Sequence, residues 1–238
     1  MALKITKPSM PDDFVLKAQT ERKLYAVLDG TMNFPANGVT GLLLYGIPGS
    51  GKTTMAELLP GWIETAKQTN YLLNNPVGQI VDLTQATYTS QACAQGQNGA
   101  NTIQQIQNTT SLVSFNSSGL HYIILDEVDL LTSAAIASLK AIMNQTNVVF
   151  ILTTNNLNKI ATAVQNRCHL LDMNAPPAAG WVAKIQGIYT QSNLTPPPAS
   201  TITSIVSAGN GSARSILSDI EFAEALRNKR QGDQSWTE

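Results

Sequence analysis

The sequence predicts an α/β fold, a parallel sheet covered by helices on both faces, followed by a small all-helical unit. Three observations carry that prediction. Short, continuous runs of large apolar residues recur along the first 174 residues, each followed by turn residues and a helix-like segment. Uninterrupted apolar strands that alternate with helices belong to a sheet buried on both faces. A glycine-rich turn ending in Lys52-Thr53 separates the first such run from the first helix, and beyond Asn174-Ala-Pro-Pro177 the strand-like runs stop while helical patterns continue.

Taken in order, Thr40–Tyr45 opens the sheet and Lys52–Ala66 is the helix behind it. Gln79–Leu83 is a weaker strand. From Leu83 to Leu125 there is no Lys, Arg, Asp or Glu, and part of this Gln-, Asn-, Ser- and Thr-rich stretch is expected to be a long loop. His121–Leu125 is a second strong strand. Thr132–Met143 is a helix, with Ser133 at its cap and Ile136, Leu139, Lys140 and Met143 on one face. Asn147–Thr153 is the third strong strand. Domain one therefore spans residues 1–174 and a helical lid with a short tail spans 175–238. The lid helices are Ala179–Thr190, Pro198–Ala208 and Ser212–Arg227, the last two parted by Gly209-Asn-Gly211, a helix-stopping run.

Composition bounds the function. A chain of 238 residues and 25.5 kDa with 43% hydrophobic residues can bury a core, which excludes global disorder. Charged residues are 13%, about half the usual share. The net charge of −1 offers no overall field for nucleic acid or an anionic membrane. Cys93 and Cys168 have neither metal-ligand spacing nor partners for a disulfide framework. Met1-Ala2-Leu3-Lys4 does not read as a secretory leader, and the longest apolar runs, Gly41–Tyr45 and Val148–Leu152, are too short to span a bilayer. The expectation is a cytoplasmic protein.

Gly46-Ile47-Pro48-Gly49-Ser50-Gly51-Lys52-Thr53 fits G-x-x-x-x-G-K-[ST] in its confirming strand–loop–helix context. Glycines let backbone N–H groups fold around phosphate oxygens, and the helix N-terminus adds a favourable dipole. Lys52 would reach the β- and γ-phosphates, Thr53 would ligate Mg²⁺, and Thr54 completes the phosphate-binding set. The strand Tyr122-Ile-Ile-Leu125 ends in Asp126-Glu127. Buried carboxylates at a strand end are costly without a cation. Asp126 is thus placed in the Mg²⁺ shell and Glu127 beside the attacking water, against the plainer reading of a strand entering an acidic turn. Asp129 reads as a helix-capping or solvated acid. Asn155, ending the third strong strand, can hydrogen-bond the water or γ-phosphate, although taken alone it reads as a turn residue. His121, His169, Trp62 and Trp181 read as structural, Trp236 as part of a frayed tail, and Arg227-Asn-Lys-Arg230 as a solvated helix end.

With these residues in place, the chain resembles the AAA+ ATPases, and in finer detail their clamp-loader branch, the replication factor C-like small subunits. Phe150–Ile160 followed by Val164-Gln-Asn166-Arg167-Cys168 is similar to that branch's sensor-1 strand and Ser-Arg-Cys motif, with Asn166 in place of Ser. Gly211-Ser-Ala-Arg214 resembles the opening of the sensor-2 helix, and Asn98-Gly-Ala-Asn101-Thr-Ile103 the stretch before a helix that lines DNA. The resemblance runs from about Leu42 to Ile220. It implies an ATP- and Mg²⁺-dependent ATPase, with Arg167 an arginine finger for a neighbouring subunit and Arg214 a contact to the chain's own γ-phosphate. It also implies AAA+ oligomers, homomeric or mixed, that work with a sliding clamp and primed DNA in replication; the compact chain fits a viral source. Other readings are an initiator, helicase loader or remodelling ATPase, and an ATP-dependent assembly module that barely turns over. Against the branch, the expectation is a chain without a collar domain after the lid, and the sequence departs in an extra uncharged stretch from Thr84 to Gln97 and in a DNA-lining segment, Asn101–Asn108, without a cation. Weak DNA binding by the protein alone is expected.

Overall fold

The computed structural model describes residues 3–74, 86–93, 99–176 and 178–233. Cα packing divides the chain into two units: Ala18–Gly46 with Lys52–Met173, and Met1–Lys17 with Ile47–Gly51 and Asn174–Glu238.

The first unit is a five-stranded, all-parallel sheet in the order β2-β3-β4-β1-β5. Its strands are β1 (Gly41–Tyr45), β2 (Tyr88–Ala92), β3 (His121–Asp126), β4 (Val148–Thr154) and β5 (Cys168–Asp172). The three central strands are the three apolar runs, and β4 is buried along its whole length. Alternate side chains serve opposite faces. On one face Leu43, Ile123, Leu125, Phe150 and Leu152 form a core with Ile103 and Ile106 of α3 (Gly99–Thr110), Leu139 and Ile142 of α4 (Ser133–Ile142), and Val164 of α5 (Thr162–Gln165). α1 (Ala18–Leu28) and α2 (Lys52–Asn74) also pack on the sheet, burying Leu24, Met55, Leu59 and Ile63.

Several local expectations shift. α2 continues past Ala66 with Pro60 inside it. The cap of α4 is Thr132, whose hydroxyl accepts from the Ala135 N–H, and not Ser133. Tyr88–Ala92 forms strand β2 within the uncharged stretch read as partly loop. Its side chains are mostly exposed, so it lacks an apolar run. Edge strand β5 and helix α1 were not anticipated either. β5 is only half-buried, which removes the continuous apolar signature. The weaker strand expected at Gln79–Leu83 and Trp236 lie outside the described residues.

In the second unit, α6 (Ala178–Gln191), α7 (Ala199–Ala208) and α8 (Ala213–Asp233) close around Trp181, Ile185, Tyr189, Ile202, Val206, Ile216 and Ile220. Leu3 of the N-terminal segment joins that core, and Asp13 pairs with Lys184 of α6 at 3.2 Å. Among the described residues no helix is long and apolar enough to cross a membrane.

Candidate nucleotide-binding and catalytic site

The register of the central strands decides which side chains meet. Leu125 of β3 stands opposite Leu152 of β4, so the next residues, Asp126 and Thr153, lie side by side at the sheet's carboxyl-terminal edge. That edge is where ligands bind in open parallel sheets. The Thr153 hydroxyl donates to Asp126 Oδ1 and accepts the Glu127 backbone N–H at 3.0 Å. From the start of α2, Thr53 Oγ1 lies 3.1 Å from both Asp126 carboxylate oxygens. Lys52, only 7% exposed, donates from Nζ to the Gly46 carbonyl at 2.9 Å. Burial pushes the Lys52 pKa below the usual lysine range, and the carboxylates of Asp126, Asp129 and Glu127 pull it the other way.

Glu127 has φ 58° and ψ 49°, the left-handed region, which a non-glycine residue enters at a cost of about 1–3 kcal/mol. That turn leaves its side chain exposed at the strand end, where Asn155 Nδ2 donates to Glu127 Oε1 at 3.2 Å. Asp129 is neither a helix cap nor free in solvent. Its Oδ1 accepts from the Thr154 hydroxyl at 2.8 Å and the Asn155 backbone N–H at 3.3 Å. Lys52, Thr53, Asp126, Glu127 and Asn155 thus gather at one end of the sheet unit; Thr153 and Thr154 belong to it without having been singled out, and so does Asp129, which was read as a cap or a solvated acid. The spacing Asp-Glu-x-Asp against Thr-Thr-Asn, read in strand register, is the signal that would have found them.

The tip of the glycine loop belongs to the other unit. Gly49 (φ 79°) and Gly51 (φ 91°) sit where side chains are strained, and a Cβ on Gly49 would collide with the Ser212 hydroxyl. The Arg214 backbone N–H donates to the Gly49 carbonyl at 3.1 Å, and Asn174 Oδ1 accepts from the Ile47 N–H at 3.1 Å. Arg214 itself is exposed at the first turn of α8, Pro48 is exposed, and Thr54 is half-buried in the first turn of α2. Among the described residues the buried Ser50 hydroxyl has no hydrogen-bond partner, which leaves it a donor suited to a phosphate oxygen.

Arg167 is elsewhere. It precedes β5, and its carbonyl accepts from the Thr40 and Gly41 N–H groups, at the amino-terminal edge of the sheet. Its guanidinium donates to Asn144 Oδ1 at 3.1 Å and to the Ala163 carbonyl at 2.8 Å. His169 packs against the Phe34 ring, and His121 Nε2 lies 3.0 Å from the Leu112 carbonyl.

A hydroxyl facing a carboxylate is a hard-oxygen pair suited to Mg²⁺. Among the described residues no cluster of three or more His, Cys, Asp or Glu could hold a metal unaided. A protein that binds Mg²⁺ mainly through substrate phosphates and water needs only one or two such ligands. Thr53 and Asp126 therefore fit that ion.

Residues 42–172 match the model of the ATPase family associated with various cellular activities. Among curated proteins, the chain is 31% identical to replication factor C subunit 3 of Schizosaccharomyces pombe over 136 residues, 56% of this chain and 35% of that protein. It is 24% identical to replication factor C subunit 3 of Saccharomyces cerevisiae over 196 residues, 81% of this chain and 52% of that protein. The chain thus spans about half the length of these relatives, or less. Lys52 and Thr53 stand at the same sheet edge as the Asp-Glu strand end, and the family match covers more than half of the chain. The chain belongs to the ATPase family associated with various cellular activities.

Proposed function

We propose that the chain hydrolyses ATP with Mg²⁺ as a clamp-loader-like subunit, coupling turnover to a sliding clamp and primed DNA. The observation that carries the reading is the junction of Thr53 with Asp126 and of Asn155 with Glu127 at one strand edge, in a chain similar to replication factor C subunits. Lys52 exchanges the Gly46 carbonyl for β- and γ-phosphate oxygens. Thr53 and Asp126 would hold Mg²⁺, which when bound neutralises charge on the phosphates. Glu127 accepts a proton from water as the water oxygen attacks the γ-phosphorus and the bond to the β,γ-bridging oxygen breaks. ADP and inorganic phosphate leave, and Glu127 returns its proton to phosphate or solvent. Asn155 orients that water, and Arg214 pairs with the γ-phosphate.

Arg167 serves a neighbouring subunit's nucleotide. Its place at the amino-terminal edge of the sheet, away from its own Asp126 and Glu127, supports a role in trans, and hence oligomers. Docking of a protein partner is supported by Leu112, Val113 and Phe115, which are 68%, 87% and 94% exposed; large apolar side chains clustered in solvent mark interaction surfaces. Helix α3 carries no charge along its length. Direct duplex binding by one subunit is then weak, with a salt slope of about −1 to −3.

The test is steady-state phosphate release with and without a sliding clamp and primed DNA. Stimulation that requires both is the expected result. Stimulation by other partners points to an initiator, helicase loader or other remodelling ATPase, and absence of turnover points to an assembly module.

A further inference from the structure

We propose that Asp129 is a positioning residue for ATP hydrolysis, acting through Asn155 on Glu127; this rests on the role given to Glu127 above. The Thr154 side chain is fully buried at the end of β4, and a buried hydroxyl needs a partner. The short 3-10 turn Val128–Leu130 brings the Asp129 carboxylate to it, and one oxygen, Oδ1, takes both the Thr154 hydroxyl at 2.8 Å and the Asn155 N–H at 3.3 Å. Thr154 Oγ1 in turn accepts the Asn156 N–H at 3.0 Å. Three consecutive residues leaving β4 are therefore tied, directly or in relay, to Asp129. The middle one is Asn155, whose amide reaches Glu127 Oε1 at 3.2 Å.

The turn that carries Asp129 begins at Glu127 itself, so the two carboxylates move as one piece. Loss of the Asp129 acceptor frees the Asn155 backbone and lets its amide leave Glu127. The position asks for an acceptor oxygen, and an amide supplies one as well as a carboxylate does. A purely electrostatic role, in which the Asp129 charge supports the ammonium of Lys52, asks for the charge instead. The two roles therefore part at Asp129→Asn.

The experiment measures kcat and KM for ATP in the wild type, D129N, D129A, T154V, N155A, the D129A/N155A double variant and E127Q. D129A lowers kcat between about 10- and 100-fold, as small misplacements of reacting groups do. Its KM stays within about threefold, since binding is not what it serves. D129N keeps most of the rate. T154V removes the same bond from the other end without opening a cavity and slows kcat in the same direction, which keeps the test intact where D129A melts early. The double variant is no slower than N155A alone, because residues acting in series are not additive. D129N as slow as D129A, a raised KM, multiplicative losses in the double variant, or wild-type kcat in T154V overturns the proposal. Wild-type turnover in E127Q refutes the role of Glu127 instead. Independently of turnover, the Asn155 side-chain amide resonances, assigned by their loss in N155A, shift in D129A and hold in D129N. Unshifted resonances in D129A overturn the positioning.

Discussion

The carboxyl-terminal rim of β3 and β4 and the β2–α3 flank belong to one sheet unit and are built from opposite chemistry. The rim brings Lys52, Asp126, Glu127 and Asp129 together with the hydroxyls of Thr53, Thr153 and Thr154, and each carboxylate accepts a hydrogen bond from a named side chain. The flank has no charged residue in β2 or α3. Past α3 the chain leaves Leu112, Val113 and Phe115 in solvent. In a chain with only 13% charged residues, three acids and a lysine share one strand edge, a cluster suited to a charged ligand. Apolar residues left in water, by contrast, are repaid by a partner's surface. The proposed function accordingly puts ATP at the rim and a protein partner at the flank.

The largest break comes from removing the rim's cation. Lys52→Ala takes away the group that holds the terminal phosphates, and ATP affinity falls at least about 100-fold in a fluorescent-nucleotide titration. Affinity within a few-fold of the wild type would remove the phosphate loop from the account. On the flank, Phe115→Ser lowers the ratio of clamp-stimulated to basal hydrolysis about tenfold, the size of effect a single well-buried interface aromatic produces. An unchanged ratio moves the partner surface elsewhere.

The smallest effect calibrates the other unit. Asp13 accepts backbone N–H bonds from Ser9 at 2.9 Å and Met10 at 3.1 Å and pairs with Lys184. Chiefly through the Ser9 and Met10 bonds, its pKa is lowered to about 2. A folded pKa below the unfolded value adds stability that is present above the unfolded pKa, near 4, and lost as pH falls towards 2. Because the pair is exposed, Asp13→Asn costs at most about 1 kcal/mol at pH 7. Chemical denaturation at pH 7 shows that loss, and near pH 2 the difference disappears. A loss that persists in acid would assign Asp13 a role other than its charge.

How much of this was legible follows the same contrast. β1, β3 and β4 announce themselves because strands buried on both faces are continuous apolar runs, and the phosphate loop because glycine, lysine and threonine are needed there at fixed spacing. β2 and β5 do not, because an edge strand half in water carries no such run. Asp126 and Glu127 stand out as acids ending an apolar strand. Asp129 was misread because its partners, Thr154 and Asn155, are distant in sequence and adjacent only through the β3–β4 register. Arg167 was singled out only by resemblance, and its bonds to Asn144 and the Ala163 carbonyl depend on packing that no local pattern encodes.

The central claim is that the rim binds ATP through one set of groups and hydrolyses it through another. Glu127→Gln separates them most directly, measured as ATP affinity and single-turnover phosphate release on the same preparation. The account predicts affinity within a few-fold of the wild type and release slowed at least about 100-fold, the lower end of what a general base contributes. Equal release in the variant would contradict it and place the base elsewhere.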